Sequence, residues 1–190
     1  MNKRMITIGI KARNASKLKI NTQIKNKVLN DYAKLLHKEK KFIIKQNLKD
    51  VKFAKKIRLK DNLISRLQLN EEKISDIKKT IFKIAKLKDP VNNILEKWKR
   101  PNGLNISKIS IPIGVIGIIY ESRPNVTSDV ASLCFKSGNA VILKGGSEAI
   151  NTNRALAKLF RKSLKKNKID ENFVQFIDSI ERKLIDIMLS

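Results

Sequence analysis

Residues 111–153, IPIGVIGIIYESRPNVTSDVASLCFKSGNAVILKGGSEAINTN, decide the fold. Five of the chain's seven glycines (Gly114, Gly117, Gly138, Gly145 and Gly146) fall within them, between two aliphatic runs. The run from Val115 to Ile119 is almost continuously apolar, the pattern of a strand covered on both faces. Val126 to Lys136 reads as a short helix ended by Gly138, whose missing Cβ permits a left-handed cap. Ala140 to Leu143 is the next strand. Asn151 to Lys166 follows as a helix with Ala155, Leu156, Leu159, Phe160 and Leu164 facing inward. Phe173 to Ile177 is a third strand, and Asp178-Ser179-Ile180-Glu181 has the spacing of a capping box opening a last helix. Strand, helix, strand, helix, strand predicts a parallel sheet with right-handed crossovers.

Upstream the texture changes. Between Gly9 and Pro90 there is no glycine or proline, and helices are the natural use of so long an unpunctuated stretch. Asn21 and Thr22 predict the start of a helix carrying Ile24, Val28, Tyr32 and Leu35. Another starts near Asn70, with Ile74, Ile77, Ile81 and Ile84 at helical spacing, and Asp89-Pro90 stops it. Each has a single apolar stripe, so these helices cover something rather than stand alone. Pro90 to Gly103 reads as a connector containing Trp98. Ile106 to Tyr120 reads as β throughout, alternating at Ile109, Ile111 and Ile113 before the continuous run. No internal repeat is visible, and the last helix reaches Ser190 without a cap.

Composition narrows the function classes. The length of 190 residues suits one domain or slightly more, and 42% hydrophobic residues suffice for a core. No apolar run reaches the roughly 18 residues needed to span a bilayer. The basic start, MNKRMITIGIKARNASK, lacks the apolar core and cleavage site of a signal peptide. A single cysteine, Cys134, excludes an internal disulfide and a cysteine metal cluster, and suits a reducing, cytoplasmic setting. The net charge of +25 raises the question of a nucleic-acid partner. Lysine outnumbers arginine 33 to 9, though, and aromatics are only 5%. Arginine is the residue that phosphate recognition favours, so the charge reads better as a lysine-rich composition. Residues 1–89 hold 26 basic against 8 acidic residues, and 90–190 hold 16 against 9. The excess therefore lies on the helical part and not at the glycine-rich loop.

Two places can carry chemistry. The loop Lys144-Gly145-Gly146-Ser147-Glu148 leaves a strand and enters a helix, where unpaired backbone amides suit a phosphate. It matches neither the dinucleotide fingerprint nor the phosphate loop with its Lys-Ser/Thr ending. From spacing alone it is equally an ordinary strand-to-helix turn. The second place, Tyr120 to Asn125, leaves the preceding strand at the same sheet edge. Arg123 there can bind a carboxylate or phosphate bidentately, while Asn125 is either an amide donor or the cap of the helix at Val126. Cys134, flanked by Leu133 and Phe135 in a short helix, reads as a small buried hydrophobe and not a nucleophile. His37, the only histidine, lies among lysines and reads as solvated. No Ser-His-Asp set and no metal site can be assembled.

GVIGIIYESRPNVT and SLCFKSGNAVILKGGSEAI resemble the gamma-glutamyl phosphate reductase family of the aldehyde dehydrogenase superfamily. RLQLNEEKISDIKKTI, KLKDPV and FVQFID extend the resemblance over nearly the whole chain. It implies an α/β fold, with an N-terminal helical layer packed on an open, mostly parallel Rossmann-like sheet. It divides the chain into a helical segment and connector (1–105) and part of an NADP-binding domain (106–190). Family members are about twice as long, which places the catalytic domain and its nucleophilic cysteine beyond Ser190, so the isolated chain is expected to be inactive. The implied reaction reduces L-glutamate 5-phosphate to glutamate 5-semialdehyde in proline biosynthesis. In the superfamily the strand ending at Lys144 supplies a lysine to the adenosine ribose, with an acidic residue three positions on. Here that position is Ser147, with Glu148 displaced by one, and a hydroxyl tolerates the 2′-phosphate of NADPH. Gly145 and Gly146 complete the expected cofactor loop. Asn125 is the nearest match to the superfamily's oxyanion-stabilising asparagine, although its loop is short, and Arg123 becomes a substrate contact. Homo-oligomerisation and coupling to glutamate 5-kinase are implied for the full-length enzyme. Two other readings stay open: a non-catalytic nucleotide-binding remnant, and a basic helical protein binding RNA or anionic surfaces.

Overall fold

The computed structural model of the protein describes residues 3–189. Helices fill the unpunctuated stretch: α1 (Lys3–Ser16), α2 (Thr22–Lys38), α3 (Lys40–Lys56), α4 (Asp61–Leu67) and α5 (Glu71–Lys86). The capping signals work as read. Asn21 accepts the Ile24 N–H at 2.9 Å and Asn70 accepts the Lys73 N–H at 2.8 Å, each satisfying an orphan donor of a first turn. The stripes of α2 and α5 face inward, with Ile74, Ile77 and Ile81 on α5; on α2 Val28 and Tyr32 are buried as expected, joined by Leu29 and Leu36, while Ile24 and Leu35 are only partly buried.

The connector contains a strand that the sequence reading missed. β1 (Ile94–Lys99) pairs antiparallel with β2 (Asn105–Ile109), and the two form a separate hairpin. The β stretch expected over 106–120 is therefore two strands in two sheets. Pro112 has no N–H to give a ladder, and Gly114 takes a φ of 118° that L side chains rarely adopt, so the chain turns between them.

The second sheet is parallel in the order β3 (Val115–Tyr120), β4, β5. From β3 the chain runs through α6 (Pro124–Lys136), β4 (Ala140–Gly145), α7 (Ile150–Lys166) and β5 (Val174–Phe176) to α8 (Lys183–Leu189). With sequential order and right-handed crossovers, α6 and α7 lie on one face of the sheet. α1 covers the other face, and α2, α3 and α5 pack outside α6 and α7. Rings of three helices and the segment entering β5 meet in the core. Tyr32 lies 4.6 Å from Phe160, and Phe135 lies 5.9 Å from Phe160 and 5.5 Å from Phe173, centroid to centroid. These are offset or edge-on pairs of the kind the ring quadrupole favours.

β3 departs from expectation. It is an edge strand and only partly covered, with Gly117 and Ile119 exposed; the enclosed strand is β4, buried at every residue but Ile142. The capping box expected at Asp178–Glu181 does not form either, and α8 starts at Lys183. Asp178 instead accepts two hydrogen bonds from the Arg154 guanidinium, at 2.7 and 2.5 Å, and a bidentate ion pair outcompetes a local cap. The uncapped end expected at Ser190 lies outside the described residues. No described helix is long and apolar enough to cross a membrane.

Candidate functional site

Parallel strands deliver their loops to the carboxyl edge of the sheet, and there β3, β4 and β5 bring three segments together. Gly145 lies in β4 and pairs across to Tyr120. A bare turn of 3-10 helix, Ser147–Ala149, then leads into α7. The two glycines are required by the chain's own packing. A Cβ on Gly145 would sit 2.9 Å from the Tyr120 ring and nearer still to the Asn153 amide. One on Gly146 would sit 2.5 Å from Ser122 Oγ and 2.8 Å from Glu148 Oε2.

Beneath this loop lies a polar chain. Thr127 Oγ1 donates to Asn153 Oδ1 at 2.9 Å, so the Tyr120 hydroxyl donates to Thr127 at 2.7 Å. Burial pushes the Tyr120 phenol up to about 12, which keeps it a neutral donor. From the other side, Asp50 of α3 holds the start of α7. Its Oδ1 accepts from the Asn151 N–H (3.1 Å) and amide (2.7 Å), and its Oδ2 from the Thr152 N–H (2.7 Å) and hydroxyl (2.6 Å). A carboxylate is well placed against a helix N-terminus. Asn47, one turn earlier, donates to Leu67 O and Thr152 Oγ1 and accepts the Leu69 N–H.

The candidate residues lie in three neighbouring clefts. Lys144, Gly145, Gly146, Ser147 and Glu148 line one of about 310 Å³, together with Ile180 and Arg182. Lys144 is 4% exposed, and its Nζ donates to Gly145 O at 3.3 Å and Ser179 O at 3.0 Å. Burial lowers its pKa from the usual lysine value, and the charge of Glu148 opposes that shift. Glu148 accepts a 2.6 Å hydrogen bond from Ser122 Oγ. Burial raises the pKa of this carboxyl, but the hydrogen bonds and Lys144 outweigh it, so Glu148 stays ionised more readily than an ordinary glutamate. Arg123 lines a second cleft of about 330 Å³ with Arg66, Ser122, Gly146 and Glu148. Asn125 lines a third, of about 230 Å³, and donates to Asp129 Oδ2 at 3.1 Å. It does not cap α6. The cap position is Arg123, and Pro124 takes the first helical place, where its missing N–H costs nothing.

Sequence reasoning missed Ser122, Asp50, Asn153, Arg66 and Arg182. Only Ser122 had a local signal, a hydroxyl beside Arg123 at a strand end. Asp50 and Asn153 act across the fold, and Arg66 and Arg182 line the clefts from distant segments. Cys134 is buried, and burial pushes its thiol up to about 11. A thiolate-directed reagent near pH 8 should leave it unmodified in the native protein and label it on denaturation; rapid native labelling would contradict this. His37 is exposed. Among the described residues no group of histidine, cysteine or carboxylate side chains could hold a metal ion.

No family model matches the chain. A gamma-glutamyl phosphate reductase from Clostridium tetani is 42% identical over 191 aligned positions, which cover 100% of this chain and 45% of that protein. The crystal structure of the gamma-glutamyl phosphate reductase from Thermotoga maritima superposes with a TM-score of 0.94 at 39% identity, covering 97% of this chain and 45% of that one. A probable aldehyde dehydrogenase from Listeria monocytogenes, 11% identical with a TM-score of 0.71, shares the fold over 98% of this chain and 39% of its own. The chain thus spans somewhat under half the length of the curated relatives it matches. Within that span sequence and fold agree, and the chain belongs to the gamma-glutamyl phosphate reductase family.

Proposed function

We propose that this chain is the cofactor-binding part of an NADPH-dependent gamma-glutamyl phosphate reductase that converts L-glutamate 5-phosphate to L-glutamate 5-semialdehyde and phosphate in the cytoplasm. The observation that carries the reading is the cleft at the ends of β3 and β4, where Lys144 and Arg182 bring cations and Ser147 a hydroxyl to one rim. NADPH supplies the hydride. Its 2′-phosphate suits this rim, where the cations of Lys144 and Arg182 outnumber the one carboxylate, Glu148, and Ser147 can donate a hydrogen bond. Lys144 would turn from its two carbonyl partners toward the adenosine ribose. Gly145 and Gly146 keep the loop flat against Tyr120 and Ser122, which leaves the cleft open above them.

Arg123 and Asn125 are the proposed substrate contacts. The Arg123 guanidinium is half exposed, 3.9 Å from Glu121, and free to reorient toward an acyl phosphate. Asn125 spends one amide N–H on Asp129 and keeps one for an oxyanion, an interaction of about 3 kcal/mol in favourable cases. Cys134, buried and protonated, is unsuited to be the nucleophile. This span alone should therefore bind cofactor without turning it over. The substrate is a labile acyl phosphate, which favours coupling to the glutamate 5-kinase that makes it.

Ser147→Glu tests the cofactor assignment. A carboxylate on that rim repels the 2′-phosphate, so NADPH affinity should fall about tenfold or more while NADH affinity holds. Fluorescence titration reads both. An equal loss of the two would place cofactor discrimination elsewhere.

A further inference from the structure

The third cleft, of about 230 Å³ between α4, α5 and α6, is not used by the cofactor reading. Four charged side chains line it, and two are already committed. Lys73 Nζ donates to Ser65 O (3.0 Å) and Gln68 O (2.7 Å), and Asp76 pairs with Lys79 at 3.0 Å. The other two are Arg66 and Asp129. The exposed Arg66 side chain makes no hydrogen bond or ion pair among the described residues. Asp129 has one carboxylate oxygen on Asn125, while the other, Oδ1, is buried without a partner. Arg66 and Asp129 line the same small cleft without pairing to one another.

From this geometry we infer that the cleft between Arg66 and Asp129 takes the α-amino-acid head of the substrate, with the ammonium on Asp129 and the carboxylate on Arg66. The inference rests on the proposed reductase function and deepens it. Leu69 and Ile77 give the cleft apolar wall for methylene groups. Its volume suits a small fragment and not a nucleotide. Arg66 also lines the adjacent cleft that holds Arg123, so one side chain borders both. A glutamyl chain lying past Arg66 has its zwitterionic head in one cleft and its 5-phosphate in the other. Burial raises the pKa of the Asp129 carboxyl against the opposing bond from Asn125, and a seated ammonium would offset that desolvation. Asn125 positions Asp129, and both of these, with Arg66, select for an amino acid over a plain dicarboxylate.

The test uses the whole 190-residue chain and L-glutamate as probe, followed by NMR chemical shifts, with glutarate and 4-aminobutyrate as controls lacking the ammonium and the α-carboxylate arrangement. L-Glutamate should bind with a dissociation constant on the order of 1–10 mM and the controls at least about tenfold more weakly. Asp129→Asn and Arg66→Gln should each weaken L-glutamate about tenfold or more while NADPH affinity is unchanged, which also reports that the variants fold. Equal binding of glutarate, indifference to both variants, or no L-glutamate binding by chain that binds NADPH would overturn the inference. Selective, Asp129-dependent L-glutamate binding by chain that does not bind NADPH would instead sink the cofactor reading and leave the head-group site standing.

Discussion

Replacing Asp50 by alanine should lower the stability of the fold by about 3 kcal/mol, or about 10 °C in melting temperature, as read by thermal or urea unfolding. The side chain is 1% exposed, and its two oxygens accept four hydrogen bonds from Asn151 and Thr152. Alanine would strand two backbone N–H groups of a buried helix start, and each unsatisfied buried donor costs about 1–3 kcal/mol. The carboxylate also faces the positive end of α7, so its charge contributes beyond its hydrogen bonds. Asp50→Asn should recover little of the loss, because an amide nitrogen would face an N–H donor on one side. The consequence reaches the site, since α7 carries the Asn153 that supports Gly145. Cofactor affinity should fall along with stability. A loss below about 1 kcal/mol would show that α7 does not depend on α3 for its start.

Gly145→Ala should cost about 2–3 kcal/mol, measured the same way. The added methyl would meet the Tyr120 ring and the Asn153 amide. Neither yields easily, because both are bonded to Thr127. Gly9→Ala is the matching control. A Cβ at Gly9 meets nothing within 4 Å, and the residue lies inside α1. Alanine is the better helix former, so this change should stabilise by about 0.5–1 kcal/mol. Equal and small effects at the two positions would mean that the glycine loop is not packed as described.

The parts of the fold that were legible in the sequence are those governed by neighbours along the chain. Asn21 and Asn70 announced α2 and α5, and Gly138 announced the end of α6, because a cap acts within a turn. The parallel order β3-β4-β5 followed from the alternation of apolar runs and amphipathic helices. β1 was illegible because Ile94 to Lys99 is exposed on both faces and so shows no period. Asp178 misled because its partner, Arg154, lies 24 residues away. The site divided in the same way. Lys144 to Glu148 and Arg123 were visible as a glycine loop and a strand-end basic residue. Asp50, 101 residues from Asn151, was not, since nothing local distinguishes a helix residue that bonds a distant segment from one that meets water.

The most direct test of the account is a titration of the folded 190-residue chain with NADPH and NADH, set beside Lys144→Met. The account predicts saturable NADPH binding, tighter than NADH and weakened about tenfold or more by the substitution. A folded chain that shows no saturable NADPH binding, or binding indifferent to Lys144, would contradict it.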